Sequence, residues 1–313
     1  MNKSENILVS IICNTYNHEP YIRQCLEGFV MQKTDFAFEV LIHDDASTDK
    51  TADIIREYEA QYPDIIKPIY QTENQYSKKT GIMKTFQIPR VKGKYIALCE
   101  GDDYWIDPLK LQKQVDILEK DATITFVYSN FENVDEKGSL IDRPIYNGYV
   151  KKSYSGDVFP KLIRGNFIMT LTTCFRKEIF ISDEFLNAPT LIDYLLFLIA
   201  SSKGNAIYLE EKTGCYRKHV NGLTSSKPKG VNEATLKAFK FISELYLRNI
   251  VRQRGKWDNF AIKTFIMRRA LGLFFQGDKN FLSTIIIIQK SILLFVIPAI
   301  FEICLYKLYN SLK

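Results

Sequence analysis

The sequence predicts an α/β fold in which helices flank a central, mostly parallel sheet. Short apolar runs alternate with amphipathic stretches of about a dozen residues along the first half of the chain, the pattern of right-handed βαβ units. Polar residues follow three of these runs, at the positions where a sheet of this kind binds its ligands. The 313 residues, 46% of them hydrophobic, suffice for a large core.

Five apolar runs are the predicted strands. The first runs from Ile7 to Cys13, and the second ends at Ile42. The other three are Ile65 to Tyr70, Tyr95 to Cys99 and Ile124 to Tyr128. The segments NTYN, HDDASTD and EGDD follow the first, second and fourth strands, so we expect their polar groups to face one crevice.

Helices are predicted between these strands from apolar spacing and from capping residues. Pro20 suits the first turn of a helix whose apolar positions recur at helical spacing. A second helix follows the capping residues at 47–49, which read Ser-Thr-Asp. Asp107 and Pro108 form an N-cap and first-turn pair for a third helix with the sequence PLKLQKQVDILEK.

The pattern changes near residue 225, which predicts an α/β domain over 1–225 and a helical C-terminal region over 226–313. The segment TSSKPKG at 224–230 has the composition of a linker. The tail is strongly apolar, but its charge-free run from Ser291 to Phe301 is shorter than the roughly 18 to 20 residues of a spanning helix. We interpret the tail as an in-plane membrane helix, with a helix packed on the core or forming a homo-oligomer as the alternative.

Charge and cysteine content point to the compartment and partners. The net charge of +6 is mild, and we expect no nucleic-acid partner. The six cysteines form no C-x-x-C, and no signal peptide is recognisable at the N-terminus, so we expect a reducing, cytoplasmic setting.

Three carboxylates follow the fourth strand: Glu100, Asp102 and Asp103. Acids this close repel one another unless a cation or hydrogen-bond donors compensate. Mg²⁺ or Mn²⁺ prefers oxygen ligands and takes one or two protein carboxylates together with substrate phosphates, so a nucleoside diphosphate is the natural partner. The chain has no G-x-x-x-x-G-K-[ST] and no G-x-G-x-x-G after the first strand, which argues against other phosphate-binding loops.

Three segments together resemble the family 2 glycosyltransferases of the GT-A fold: VSIICNTYNHEPYIRQCLEGFVMQ, EVLIHDDASTDKTADIIREY and GKYIALCEGDDYWIDPLKLQKQV. The resemblance covers residues 5 to about 222, with the motifs in the family's order. It implies a Rossmann-like GT-A domain over 1–225 and an inverting, metal-dependent glycosyltransferase of the type that builds bacterial cell-surface polysaccharides.

The resemblance also implies roles for individual residues. The nucleoside would be held by Thr15, Tyr16, Asn17, Asp44 and Asp45. The D-x-D motif that meets the metal and diphosphate reads Glu100-Gly101-Asp102, with Asp103 following. Glutamate at the first position departs from the family and lengthens the arm, so Asp102 is the favoured metal ligand.

Later segments supply the other expected site residues. Asp193 corresponds to the general base, although Ile192 stands where the family has Glu, which puts acceptor contacts in doubt; a helix cap is the alternative role for Asp193. CYRKH resembles a Y-R-x-H segment, so Arg217 and His219 would approach the diphosphate or metal, with a structural role for His219 as the alternative. Three weaker candidates for sugar or phosphate contacts are Asn74, Lys84 and Arg90.

We therefore expect transfer of a sugar from a nucleotide-diphosphate sugar, a UDP-sugar, to a hydroxyl of a glycan or lipid-linked glycan. The basic and apolar C-terminal region favours peripheral attachment to the cytoplasmic face of the membrane. One alternative is a sugar nucleotidyltransferase, although CNTYN lacks the glycine-rich loop of that class. The other is a non-catalytic protein that binds nucleotide sugars or serves as a membrane scaffold.

Overall fold

The computed structural model describes residues 7–142, 148, 151, 153–163, 165–188, 193–220, 222 and 241. Two compact units divide the chain, residues 1–159 with 166–230 and residues 160–165 with 231–313. Apart from residue 241, the region predicted to be helical, 226–313, lies outside the described residues, as does the linker at 224–230. The predicted boundary at 225 and the membrane-associating tail stay predictions.

Eight strands form one sheet within the described residues, in the order β3-β2-β1-β4-β7-β6-β8-β5. The strands are β1 Ile7–Thr15, β2 Ala37–Asp44, β3 Ile66–Tyr70, β4 Tyr95–Leu98, β5 Tyr104–Trp105, β6 Ile124–Val134, β7 Cys174–Arg176 and β8 Asn205–Arg217. Only β5 and β7 run against the others. The mostly parallel sheet expected from the sequence is confirmed.

Helices flank this sheet. They are α1 Ile22–Val30, α2 Thr51–Gln61, α3 Lys110–Lys120, α4 Phe159–Leu162, α5 Asp183–Leu186 and α6 Asp193–Lys203. Shorter helical turns lie at Met83–Gln87, Ile88–Arg90, Thr170–Thr172 and Lys177–Ile179. Among the described residues, none of the helices is long and apolar enough to cross a bilayer.

The third helix begins later than the sequence predicted. The carboxylate of Asp107 accepts the N–H of Leu109 at 2.9 Å, and its carbonyl accepts the N–H of Lys110 at 3.2 Å. These bonds make residues 107–109 a turn, and α3 starts at Lys110. The prediction that Asp107 and Pro108 are the N-cap and first helical residue is therefore wrong by two positions. The Asp107 carboxylate accepts a hydrogen bond within the turn that precedes the helix.

One buried apolar cluster lies between the sheet and helices α1 to α3. Val9, Ile11 and Cys13 of β1 are fully buried and belong to the same cluster as Phe29 of α1. A Cβ added at Gly28 would lie 2.8 Å from the backbone nitrogen of Trp105, so glycine lets α1 approach β5 closely. This packing holds β5, which directly follows the acidic residues, against α1.

The strand order creates a crevice at the carboxyl ends of β1 and β4. The chain adds β2 and β3 on one side of β1 and then returns to place β4 on the other side. Such a reversal of direction is where open α/β sheets bind ligands. The N–H of Gly101 donates to the carbonyl of Asn14 at 3.0 Å, so the acidic residues that follow β4 lie beside the end of β1.

Candidate active site

The acidic stretch after β4 is a tight turn that the end of β8 holds in place. The N–H of Asp103 donates to the carbonyl of Glu100 at 3.1 Å, which closes the turn. The N–H of Arg217 donates to the Asp103 carboxylate at 2.8 Å, and the Arg217 Nε donates to the carbonyl of Asp102 at 3.0 Å. Burial raises the pKa of Asp103 well above its ordinary value. Asp103 therefore anchors the turn from within.

Asp102 pairs with His219. The Nε2 of His219 lies 2.9 Å from Oδ2 of Asp102, and the imidazole packs on the ring of Tyr21 with centroids 4.8 Å apart. Burial is the largest single effect and would raise the pKa of Asp102, but the hydrogen bond with His219 and the nearby imidazoles of His18 and His219 together lower this pKa. The Asp102 carboxylate thus stays ionised at the crevice and can bind a cation.

Glu100 lies close to the carboxylates of Asp193 and Asp102. Burial, followed by the negative charges of Asp193 and Asp102, raises the pKa of Glu100 to about 8. Glu100 thus interacts with an acid that lies 93 positions later in the sequence, Asp193. Three carboxylates share one crevice and favour a positively charged group between them.

Asp193 is the first residue of α6, and its side chain is exposed. The hydroxyl of Thr170 donates to Oδ2 of Asp193 at 2.7 Å. Ile192, which replaces the family's Glu, lies outside the described residues. Asp193 is near enough to Glu100 for its charge to raise the pKa of Glu100, and its role as general base stays a prediction.

The expected nucleoside residues meet at the ends of β1 and β2. The hydroxyl of Ser47 donates to the Asp44 carboxylate at 2.5 Å, and burial raises the pKa of Asp44. The N–H of Asp45 donates to the carbonyl of Thr15 at 3.0 Å. Asn17, with φ of 53°, accepts the N–H of Thr48 at 2.8 Å. Tyr16 is 44% exposed at the same edge.

Asn74 joins this group, because its side chain donates to the carbonyl of Asp45 at 3.2 Å. The Asp45 carboxylate in turn accepts the N–H groups of Gln75 and Tyr76 at 2.7 and 3.0 Å. The loop at 74–76 is therefore fastened to the end of β2.

Three basic candidates have protein partners. Lys84 donates to the carbonyls of Leu186 and Ala188, each at 2.8 Å, and Arg90 donates to the carbonyl of Lys67 in β3. Arg217 lies between the rings of Tyr21 and Tyr104, with centroid distances of 5.0 and 5.1 Å. These contacts tie the three cations to the fold, and the expected contacts of Lys84, Arg90 and Arg217 with sugar or phosphate stay predictions.

His18 is a site residue that sequence reasoning missed. Its buried Nδ1 has no hydrogen-bond partner within the described part of the chain, and burial lowers its pKa. A Cβ added at Gly101 would lie 3.0 Å from this nitrogen and 2.7 Å from the hydroxyl of Thr15. Glycine at 101 thus lets the acidic turn pack closely against Thr15 and His18. The available signal was the position of His18 in NTYNHEP, directly after β1.

The donor set of the crevice fits a divalent cation held partly by its substrate. In the described residues, no group of three His, Cys, Asp or Glu side chains is placed to hold a metal by itself. Asp102 and His219 already face each other at 2.9 Å, so the protein offers one carboxylate and one imidazole at the same point. Mg²⁺ commonly takes only one or two protein ligands beside substrate phosphates, and Asp102 with His219 meets that requirement.

Comparison with known proteins identifies the family of the chain. Residues 10–180 match the sequence model described as Glycosyl transferase family 2. An uncharacterized protein of Mycobacterium tuberculosis is 37% identical over 220 residues, which cover 70% of this chain and 61% of that protein. The chondroitin synthase of Escherichia coli is 28% identical over 220 residues, 70% of this chain and 30% of the synthase. The chain thus spans less than two thirds of either relative.

A solved structure shows the same fold. The crystal structure of S. aureus TarS 1-349 in complex with UDP-GlcNAc superposes with a TM-score of 0.62 at 18% identity, covering 83% of this chain and 72% of that one. The GT-A architecture expected from the sequence is confirmed.

Proposed function

Because the chain belongs to glycosyltransferase family 2, we propose that it transfers a sugar from a UDP-sugar to a hydroxyl of a glycan or lipid-linked glycan, with inversion and with a divalent metal. The observation that carries the proposal is the Asp102–His219 pair, 2.9 Å apart at the turn after β4, together with the charge of Asp193, which acts on Glu100 in the same turn. One carboxylate beside a cation site and another beside the acceptor side are what a single displacement requires.

The donor side is proposed from the groups at the ends of β1 and β2. Asp44, Asp45 and Asn17 present acceptors and an amide at one edge, which suits the N–H and O–H groups of a nucleoside. TarS has been crystallised with UDP-GlcNAc, which supports uridine as the nucleoside of the donor. Chondroitin synthase is named for a polysaccharide product, which supports a growing glycan as the acceptor.

Asp102 and His219 would hold Mg²⁺ or Mn²⁺, with Glu100 and Asp103 behind them. A bound divalent ion neutralises the charge that develops on a departing diphosphate. Asp103 would keep its place through the N–H of Arg217, so that Asp102 projects into the crevice.

The reaction then needs one proton acceptor on the other side. We assign this step to Asp193. Its carboxylate takes the proton of the acceptor hydroxyl while the hydroxyl oxygen forms a bond to the anomeric carbon. The bond from that carbon to the phosphate oxygen breaks, and its electron pair leaves with UDP. A positioned carboxylate in this role contributes roughly 10²–10⁴ in rate.

The C-terminal region bears on where the acceptor lies. We propose that residues 226–313 attach the enzyme peripherally to the cytoplasmic face of the membrane, since basic residues and an apolar tail favour an anionic lipid surface. Truncation after about residue 280 should release the protein from liposomes containing anionic lipid. Unchanged liposome binding would contradict the attachment.

A donor screen tests the proposed reaction. The full chain is incubated with UDP-, GDP- and dTDP-sugars in Mn²⁺ or Mg²⁺, and free nucleotide is measured with and without EDTA. We expect UDP release from at least one UDP-sugar and its loss with EDTA. Metal-dependent UDP binding without any release would instead indicate a non-catalytic binder, and release of GDP or dTDP alone would contradict the UDP assignment.

A further inference from the structure

The helical turn Thr170–Thr172, just before β7, belongs to a segment that carries no role in the reaction described above. Thr170 is half-buried, and its hydroxyl donates to Oδ2 of Asp193 at 2.7 Å. The two residues are 23 positions apart, so the bond joins two separate elements at the crevice. The turn therefore contacts the candidate base directly.

Two buried side chains fix the backbone of this turn. The indole Nε1 of Trp105 donates to the carbonyl of Leu171 at 2.9 Å. The amide of Gln114 donates to the carbonyl of Thr172 at 2.7 Å. Leu171 and Thr172 are both fully buried. Because both bonds lie out of water, displacement of the turn would leave buried donors unpaired, and this penalty keeps the turn in place.

Further contacts leave little freedom to Trp105 and Gln114 themselves. The ammonium of Lys110 donates to Oε1 of Gln114 at 2.7 Å and lies 4.2 Å from the centre of the Trp105 ring. A Cβ added at Gly214 would lie 2.6 Å from Cδ1 of Leu171 and 3.3 Å from Cδ1 of Trp105. The glycine in β8 thus lets indole and turn pack against the strand.

Trp105 comes two residues after the acidic turn that presents Asp102. The same short segment, residues 100–105, therefore ends in the side chain that holds the Thr170–Thr172 turn. We propose that Thr170 is a positioning residue, which holds the carboxylate of Asp193 toward the acceptor and is itself set by the Trp105–Leu171 bond. This inference rests on the proposed role of Asp193 as base.

The physical reason is that Asp193 is exposed, so burial alone does not select its side-chain rotamer. A hydroxyl donor at 2.7 Å from Oδ2 favours the rotamer that makes the bond. Small displacements of a reacting group lower the rate steeply. The bond should therefore affect turnover and not nucleotide binding.

Three variants of the full chain test this role. Thr170→Val keeps the shape and removes the hydroxyl, whereas Thr170→Ser keeps the hydroxyl. Thr123→Val is the matched control, because Thr123 also donates its hydroxyl to an aspartate, Asp121, at 2.7 Å, in the loop before β6. The readouts are kcat and KM for the UDP-sugar that the wild type turns over, and the Kd for UDP with Mn²⁺.

We expect Thr170→Val to lower kcat about tenfold to a hundredfold, as the loss of a hydrogen bond to a charged group does, with KM for the donor and Kd for UDP within about twofold. Thr170→Ser should recover most of kcat, and Thr123→Val should match the wild type. Wild-type kcat in Thr170→Val, or equal loss in Thr170→Ser, would overturn the proposal.

Crystal structures of the wild-type chain and of Thr170→Val separate failure of this inference from failure of the proposed function. If no UDP-sugar is turned over, the proposed function fails. The positioning inference is then decided by geometry. An Asp193 carboxylate within hydrogen-bond distance of Thr170 in the wild type, and turned away in Thr170→Val, supports it. The same Asp193 rotamer in both proteins overturns it.

Discussion

The imidazole of His219 and the carboxylate of Asp102 meet at 2.9 Å, Nε2 to Oδ2, and so join the end of β8 to the turn after β4. His219 is 5% exposed and packs on Tyr21, whose ring centroid is 4.8 Å away. The imidazole is thus immobilised, and it holds the carboxylate in one orientation. The pair gives the crevice a defined point at which a divalent cation and a diphosphate would be bound.

Asp102→Asn should weaken metal-dependent nucleotide binding and leave the fold intact. The amide has no negative charge for a cation, but it has the shape of the carboxylate and can still bond to His219. We expect the Kd for UDP in Mn²⁺ to rise at least tenfold, with the melting temperature nearly unchanged. Isothermal titration calorimetry with and without EDTA measures this.

The matched control is Asp116→Asn, the same chemical change at an exposed position of α3, where the carboxylate accepts from Gln112 at 2.9 Å. Its Kd for UDP should equal that of the wild type. If Asp102→Asn bound UDP with Mn²⁺ as tightly as this control, Asp102 would not be a metal ligand.

Arg217→Lys should lower the stability of the protein as well as nucleotide affinity. The guanidinium donates to the carbonyls of Asp102 and Glu136, each at 3.0 Å, and to Oε1 of Gln24 at 2.6 Å. A lysine ammonium cannot match this fork, so several buried acceptors lose their donor. We expect a loss of about 2–4 kcal/mol in the free energy of unfolding.

Urea unfolding measures this loss, and Arg23→Lys on the exposed face of α1 is the control. Arg23 pairs with Glu57 at 2.6 Å, and both side chains are about half exposed, 49% and 51%. Exposed pairs contribute little, so this variant should differ from the wild type by less than about 1 kcal/mol. Equal effects of the two substitutions would contradict the role of Arg217 as the support of the acidic turn.

Stability should depend on the buried ammonium of Lys110. Burial lowers the pKa of Lys110 to about 8, against an ordinary 10.5. Between these values the unfolded chain binds a proton that the folded protein does not, so folding becomes more favourable as the pH rises. Below about pH 8 the full cost of burying the charge is present, on the order of 3 kcal/mol.

The comparison with Lys110→Met isolates this contribution, because methionine fills a similar volume without a charge. The difference in unfolding free energy between Lys110→Met and the wild type should shift in favour of the wild type by about 2–3 kcal/mol from pH 7 to pH 10.5. Urea unfolding at a series of pH values measures it. A difference that stays constant across this range would show that Lys110 does not titrate there.

The sequence was sufficient for the strands that form the crevice. The apolar runs beginning at Ile7, Tyr95 and Ile124 are strands in the structure, because buried strands of a parallel sheet are apolar throughout. The convergence of NTYN, HDDASTD and EGDD followed from strand direction alone, since the carboxyl ends of parallel strands share an edge.

Strands β7 and β8, in the other half of the sheet, could not be predicted from apolar runs in the sequence. β7 has three residues, Cys174–Arg176, and pairs with both β4 and β6, so its existence depends on partners about 50 to 80 positions away. In β8 the apolar residues at 206–209 are followed by the polar run Glu-Glu-Lys at 210–212, so the apolar pattern stops within the strand. Short or polar strands are defined by their neighbours more than by their own composition.

Dependence on partners far away in the sequence also explains why the surroundings of some site residues could not be predicted. The predicted contact of Arg217 with a diphosphate stays a prediction, and nothing in the sequence indicated that its guanidinium also donates to Gln24, Asp102 and Glu136. Thr170 had no assigned role, since its contact with Asp193 depends on where α6 begins. Motifs identified the chemistry, and tertiary packing decided which side chains support it.

Asp193→Asn, measured for turnover and for nucleotide affinity in the same preparation, tests the central claim most directly. Asp183→Asn is the matched control, because Asp183 is also an exposed aspartate at the first position of a helix, α5. If Asp193 is the base, Asp193→Asn should lower kcat roughly 10²–10⁴-fold and keep the Kd for UDP in Mn²⁺ within about twofold of the wild type. Asp183→Asn should change neither kcat nor this Kd. Full turnover in Asp193→Asn, or loss of UDP affinity in step with kcat, would contradict the account.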